Sequence, residues 1–191
     1  MKTYGLRIVA TATDELTQTV RLYLDATRLR QSSPRTEQTY RDVLQQFLAF
    51  AKQQGITELD AVTAEVVNRY LLSVKERPTA LHTVRKHYAT LRGFWHWALK
   101  QALVDVDIFQ RVEKPKVDTK VKPALSMEQI QRVLQACDGK DWLRLRDKSL
   151  ILVLLDTGAR AQEVHRLTVA DVSHDPIILR GKHAKERVAF L

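Results

Sequence analysis

The residues of this chain best suited to chemistry are its cations, and they are unevenly spread. Between Thr79 and Leu103 stand Arg85, Lys86, Arg92 and Lys100 with His82, His87 and His96, and no acidic residue at all. Between Arg111 and Ala124 five basic residues, Lys114 and Lys116 among them, face only Glu113 and Asp118. From Thr11 to Arg77, by contrast, nine basic and nine acidic residues cancel. A last basic group, Lys182, Lys185 and Arg187, falls near residue 191. Guanidinium and ammonium groups gathered without acidic neighbours suit phosphate oxygens, because each such contact releases counterions condensed on a polyanion. The net charge of +9 points the same way, towards an anionic partner such as a nucleic acid.

Other chemistries find little support. The single cysteine, Cys137, excludes an internal disulfide and every multi-cysteine metal motif. His82, His87 and His96 have no recognised metal-ligand spacing, so no metal site is expected from them. The longest apolar run, Leu150 to Leu155, is far shorter than the roughly 20 residues that span a bilayer. No N-terminal stretch has a signal-peptide core. The expectation is a cytoplasmic protein with no membrane partner.

Apolar spacing predicts the elements that must position these groups. Residues 1–13 lack a period and read as an arm. Asp14 to about Arg30 reads as a helix with Leu16, Val20, Tyr23, Leu24 and Thr27 on one face. Ser33 and Pro34 suit the N-cap and first position of a second helix, which carries Tyr40, Val43, Leu44, Phe47, Leu48 and Ala51 and ends at Gly55. A third starts near Thr63 and runs to about Lys75, before Pro78. The fourth spans about Thr79 to Ala102, with Leu81, Val84, Tyr88, Leu91, Trp95 and Ala98 inward and the basic set outward. Trp95 and Trp97 read as core residues rather than as a platform for stacking bases. Four such helices make a bundle.

The composition then shifts. Residues 111–124 hold four lysines and two prolines and no periodic face, so they read as an extended linker. Ser126 and Gln129 have capping-box spacing at the start of a helix that ends near Cys137. A strongly apolar helix follows from about Leu143 to Asp156, then a Thr157-Gly158 break and a short helix from Arg160 to Leu167. Ile177 to Leu179 and Val188 to Leu191 are short β-type runs around a polar turn, a hairpin.

These pieces, in this order, resemble the tyrosine recombinases of the phage integrase family. Asp156-Thr157-Gly158-Ala159-Arg160-Ala161-Gln162-Glu163 with Leu167 and Asp171 is similar to the T-G-x-R-x-x-E signature. Gly181-Lys182-His183-Ala184-Lys185-Glu186-Arg187 is similar to the G-K-G-x-K-x-R hairpin, with His183 in place of its glycine. Leu125-Ser126-Met127-Glu128-Gln129-Ile130 resembles the helix that opens the catalytic domain. Thr36, Tyr40, Phe47 and Phe50 resemble the first long helix of the core-binding domain; Thr83, Leu91, Arg92, Phe94 and Trp97 resemble its last. The fold this implies is mainly α. Residues 14–110 would be a four-helix SAM-like core-binding bundle. After the linker, residues 125–191 would be a partial α+β catalytic domain that ends in the hairpin.

The resemblance implies a clamp around duplex DNA and strand transfer through a phosphotyrosine, with no metal or nucleotide cofactor. It implies catalytic roles for Arg160, as a cationic donor to the reacting phosphate, and for Lys182, as general acid to the departing oxygen, with Glu163 bracing the arginine. An arginine fork donates two parallel charge-assisted hydrogen bonds and keeps its proton, whereas a lysine can release one. It further implies DNA contacts by His82, Arg85, Lys86, Arg92, Lys100, Lys114, Lys116, Lys185 and Arg187. The His-x-x-Arg pair, a later His or Trp and the nucleophilic tyrosine of the family belong beyond Lys182. Here Tyr4, Tyr23, Tyr40, Tyr70 and Tyr88 all precede the linker. The expectation is therefore a truncated, DNA-binding recombinase, inactive alone, with other recombinase protomers as possible partners. The alternatives are a regulatory or interaction module without catalysis, and an enzyme that takes its tyrosine from another protomer.

Overall fold

The computed structural model describes residues 14–30, 33–78, 81–116, 123–172, 176–181 and 186–190. The expected arm (1–13) and Lys182, His183 and Lys185 lie outside the described residues. The chain forms two compact units, Met1–Thr119 and Lys120–Leu191. Among the described residues no helix is long and apolar enough to cross a membrane.

The first unit is built from α1 (Glu15–Leu29), α2 (Pro34–Gln53), α3 (Ala64–Lys75) and α4 (Leu81–Lys100). Three of the starts are capped by side chains that accept from otherwise orphaned backbone N–H groups. Asp14 accepts from Thr17 at 2.8 Å, Ser33 from Thr36 at 3.3 Å and Thr63 from Val66 at 3.3 Å. Pro34 occupies the first position of α2, where its missing N–H costs nothing. Gly55, just past α2, adopts φ +71°, the left-handed conformation that a side chain resists.

α4 packs against α1, α2 and α3, so one stripe of it is the centre of the bundle. Val84, His87, Tyr88, Thr90, Leu91, Phe94, Trp95, Trp97 and Ala98 are all buried. Leu16, Leu44, Phe47, Val67 and Tyr70 meet them from the other helices, and each such side chain removed from water stabilises by about 1.5–3 kcal/mol. Both tryptophans belong to this core, as the sequence suggests. Trp95 donates its indole N–H to the Val106 carbonyl at 2.9 Å. Leu81, expected inward, is 44% exposed in the first turn of α4.

The bundle extends further along the chain than its apolar period indicates. A 3-10 turn at Ile108–Gln110, capped by Asp107, sets Phe109 edge-on to Tyr88. Val104, Phe109 and Val112 are buried in the same core. The backbone N–H of Glu113 donates to the Asn68 side chain at 3.0 Å. Val112, within the stretch 111–124 that reads as a linker, is one of these packed residues, a single apolar side chain in a segment that carries no periodicity.

The second unit contains α5 (Met127–Ala136), α6 (Trp142–Thr157), α7 (Ala161–His165), α8 (Val169–Val172), β1 (Ile177–Arg180) and β2 (Glu186–Ala189). The Ser126–Gln129 capping box is formed, each residue's side chain accepting from the other's backbone N–H. The strands pair antiparallel with Ile177 opposite Ala189 and Arg180 opposite Glu186. Ile177 and Leu179 point inward and join Ala189, Ala159 and Leu167 in a small core. β2 starts two residues earlier than its apolar run, at a position where Glu186 pairs with Arg180. α5 and α6 contain no buried residue. Trp142, Leu143, Leu145, Leu150, Leu152 and Leu155 of α6 are exposed.

Candidate nucleic-acid interface and arginine site

α4 divides cleanly into two faces. At 3.6 residues per turn, positions 82, 85, 86, 89, 92, 93, 96 and 100 fall on one side of a helix. His82, Arg85, Lys86, Ala89, Arg92, Gly93, His96 and Lys100 are all exposed. Among the described residues Arg85, Lys86, Arg92 and Lys100 form no ion pair, which leaves four unneutralised charges on about five turns of helix. His96 lies 3.5 Å from the Asp107 carboxylate, the acidic group that touches this face.

His87 leaves the basic set. It is 2% exposed, and its Nδ1 shares a hydrogen bond of 2.8 Å with the Tyr70 hydroxyl. Burial pulls its pKa down to about 4, helped by repulsion from Lys86 and Arg77, so the ring is neutral near pH 7. Tyr70 is held above the usual phenol range by the same burial. Lys114 and Lys116 stand beside a groove of about 420 Å³ whose floor includes Leu71, Leu72, Leu81 and Val84.

The second unit holds Arg160 in a turn built by its neighbours. α6 stops at Gly158, whose φ of +58° closes the helix in the left-handed region. Thr157 accepts from the Ala159 N–H at 3.2 Å and turns the chain into the extended Arg160, the N-cap of α7. Glu163, one turn into α7, is 3% exposed and receives three donors. These are the Arg160 backbone N–H at 3.0 Å, the Arg160 guanidinium at 2.8 Å and the Arg187 guanidinium at 3.1 Å. Those bonds, the Arg160 backbone N–H first, hold the carboxyl down at about 2. The Arg160 side chain itself is 81% exposed. One edge of its fork is fixed by the carboxylate, and the rest is open to an anion.

Arg187 does more than the sequence suggests. It reaches from β2 to Glu163 and also to the carbonyls of Thr157 and Gly158, each at 3.2 Å. A residue expected to contact DNA is thus tied into the support of Arg160. The link spans 24 positions of sequence, and no local spacing announces it. Asp171 makes a parallel clamp. It accepts from the hydroxyl and backbone of Thr168, and Arg180 of β1 binds it at 2.7 Å. The Thr168 hydroxyl bond, the Thr168 backbone and Arg180 hold its carboxyl at about 2. Among the described residues no His, Cys, Asp and Glu gather into a metal-holding group.

The architecture is thus a helical bundle with a cationic face and a helical unit closing in a hairpin beside a braced arginine. Two family models match it: the phage integrase N-terminal SAM-like domain over residues 20–102 and the phage integrase family over residues 123–191. The chain belongs to the phage integrase family of tyrosine recombinases. It is 30% identical over 159 residues to the tyrosine recombinase XerD of Halalkalibacterium halodurans, a match covering 82% of this chain and 53% of the relative. To the tyrosine recombinase XerC of Bacillus subtilis it is 25% identical over 171 residues, covering 88% and 56%. The chain spans about half the length of the curated relatives it matches. The fold is similar to that of a lambda integrase tetramer bound to a Holliday junction, with TM-score 0.72, 15% identity and coverage of 92% of this chain and 50% of that one. It is also similar to the XerH recombinase bound to its difH substrate, with TM-score 0.61, 19% identity and coverage of 96% and 59%.

Proposed function

We propose that this chain is a DNA-binding protein of the site-specific recombinase type, which grips duplex DNA through α4 and carries part of a strand-transfer site. The observation that carries the reading is the exposed face of α4, where Arg85, Lys86, Arg92 and Lys100 stand without an ion-pair partner among the described residues. Unpaired cations on one face can each take a phosphate oxygen and release a counterion condensed on the nucleic acid. The relatives named as recombinases, and the similar structures solved with DNA, support the same reading.

In this reading residues 14–110 are the DNA-binding domain, residues 1–13 an arm, residues 111–124 the connector and residues 125–191 a partial catalytic domain. Lys114, Lys116, Lys185 and His82 add phosphate contacts. Arg160 and Lys182 contribute donors to a reacting phosphate, and Glu163 positions Arg160. All five tyrosines precede residue 89, so the nucleophile comes from outside these 191 residues. Other recombinase protomers on the same DNA are the natural partners, and the cytoplasm is the place of action. The exposed apolar side chains of α6 favour a second reading, a module that docks on a recombinase partner without catalysis.

Fluorescence anisotropy of the chain with labelled duplex DNA over a salt series tests the proposal. Binding that weakens steeply and linearly in log–log form supports it. No binding at physiological salt overturns it and leaves the docking module.

A further inference from the structure

Near the middle of the basic face of α4 the helix has no side chain. Gly93 is exposed, and a glycine inside a helix costs about 1 kcal/mol relative to alanine. Directly beneath it lies the Tyr23 hydroxyl: a methyl group at Gly93 would stand 3.2 Å from that oxygen. Tyr23 is 3% exposed, and its ring is fixed between Tyr40, Phe94 and Trp97 at centroid distances of 6.0, 5.5 and 5.5 Å.

No hydrogen bond to the Tyr23 hydroxyl is found among the described residues. Nor is any side-chain oxygen or nitrogen there both sealed from solvent and without a partner. The hydroxyl is therefore the part of Tyr23 that still reaches the surface. Packing alone does not ask for it, since phenylalanine would fill the same ring space. Burial raises its pKa to about 12, so it remains a donor at any pH the protein meets.

The surroundings identify the acceptor. Ala89, one turn before Gly93, is exposed and also small, so a ligand backbone can come close to the helix. His96 follows one turn later, and Lys86 and Lys100 lie two turns away on either side. An unpartnered, protonated donor at the floor of a small-residue gap, on a face that carries Lys86, Arg92 and Lys100, suits an anionic oxygen.

We propose that the gap at Gly93 is a seat for one phosphate of the DNA backbone, and that the Tyr23 hydroxyl donates a hydrogen bond to a non-bridging oxygen there. The inference rests on the DNA-binding reading of α4 and adds a neutral contact to its charged ones. A neutral donor releases no counterion, so it adds affinity at every salt concentration without steepening the salt dependence.

The test is anisotropy with the full chain and labelled duplex DNA for wild type, Tyr23→Phe and Gly93→Ala, each with its thermal midpoint. Tyr23→Phe is expected to bind about tenfold more weakly with an unchanged salt slope and an unchanged midpoint. Gly93→Ala is expected to bind more weakly with an unchanged salt slope, because its methyl stands 3.2 Å from the Tyr23 oxygen and closes the gap. A merely structural role for the pair moves the midpoints and leaves binding of the folded protein alone. Wild-type affinity in Tyr23→Phe overturns the seat while the DNA reading stands. Failure of the wild type to bind DNA overturns both.

Discussion

The Arg187 guanidinium meets the Glu163 carboxylate at 3.1 Å, joining the β-hairpin to the helix that carries Arg160. The carboxylate is shared, since its other oxygen holds the Arg160 guanidinium at 2.8 Å. Two arginines around one buried acid leave a net positive charge, and the exposed fork of Arg160 presents it. Strand β2 and Arg160 are therefore linked through one carboxylate. A cation held in place beforehand needs no rearrangement to meet an anion.

Replacing Glu163 by glutamine removes the charge that both guanidiniums share while keeping the size of the side chain. The Arg160 amide is expected to exchange with solvent about tenfold faster, since its strongest acceptor is weakened. Hydrogen-exchange mass spectrometry over residues 157–165 measures this. Unchanged protection would mean that the turn is held by Thr157 and Gly158 alone.

Arg160→Ala and Arg85→Ala are expected to separate two functions that a simple charge count merges. Arg160 is held by the Glu163 carboxylate, whereas Arg85 belongs to a row of unpaired charges. Loss of Arg85 should weaken duplex binding on every sequence and reduce the salt slope by about one, while loss of Arg160 leaves both nearly unchanged. Equal losses in an anisotropy comparison would contradict this division.

Much of this was legible in the sequence, and the reasons are local. Caps are short-range, so Ser33 with Pro34 and Ser126 with Gln129 announce their helices directly. Period marks the buried stripe of α4, and its complement marks the basic face. Other features depend on contacts far apart in the chain. Val112 is a lone apolar residue whose burial follows from the turn at Phe109. His87 reads as one more cation until Tyr70, 17 residues away, takes it into the core. Arg187 reads as a phosphate contact until β2 brings it to Glu163. Tyr23 and Gly93 each look ordinary alone.

The Tyr70–His87 pair is expected to be worth more than its single hydrogen bond. Tyr70→Phe leaves the buried His87 Nδ1 without its partner, a loss of about 1–3 kcal/mol. For a domain of this size, 1 kcal/mol lowers the thermal midpoint by roughly 4–8 °C. Calorimetry of the variant checks the value, and an unchanged midpoint would show that water replaces the phenol.

The same pair sets a pH dependence with a definite sign. The folded His87 has its pKa lowered from 6.5 to about 4, so between those values the unfolded chain binds the proton that the folded one refuses. Its contribution is fully present above 6.5 and is lost as the pH falls towards 4. Glu163, lowered from 4.5 to about 2, keeps its full contribution above about 4.5 and loses it only as the pH falls from there towards 2. Thermal midpoints should therefore begin to fall just under pH 6.5, and His87→Gln should flatten the curve down to about pH 4.5. A variant with the wild-type slope there would place the proton elsewhere.

The most direct test compares duplex binding by the wild type and an Arg85→Ala, Arg92→Ala double variant from low to physiological salt. The α4 account predicts a linear fall of log affinity with log salt in the wild type. In the variant the slope should be shallower by about two, with affinity at least about tenfold lower at low salt. Equal affinity and equal slope in the two proteins would contradict it, because the phosphate contacts would then lie off the face of α4.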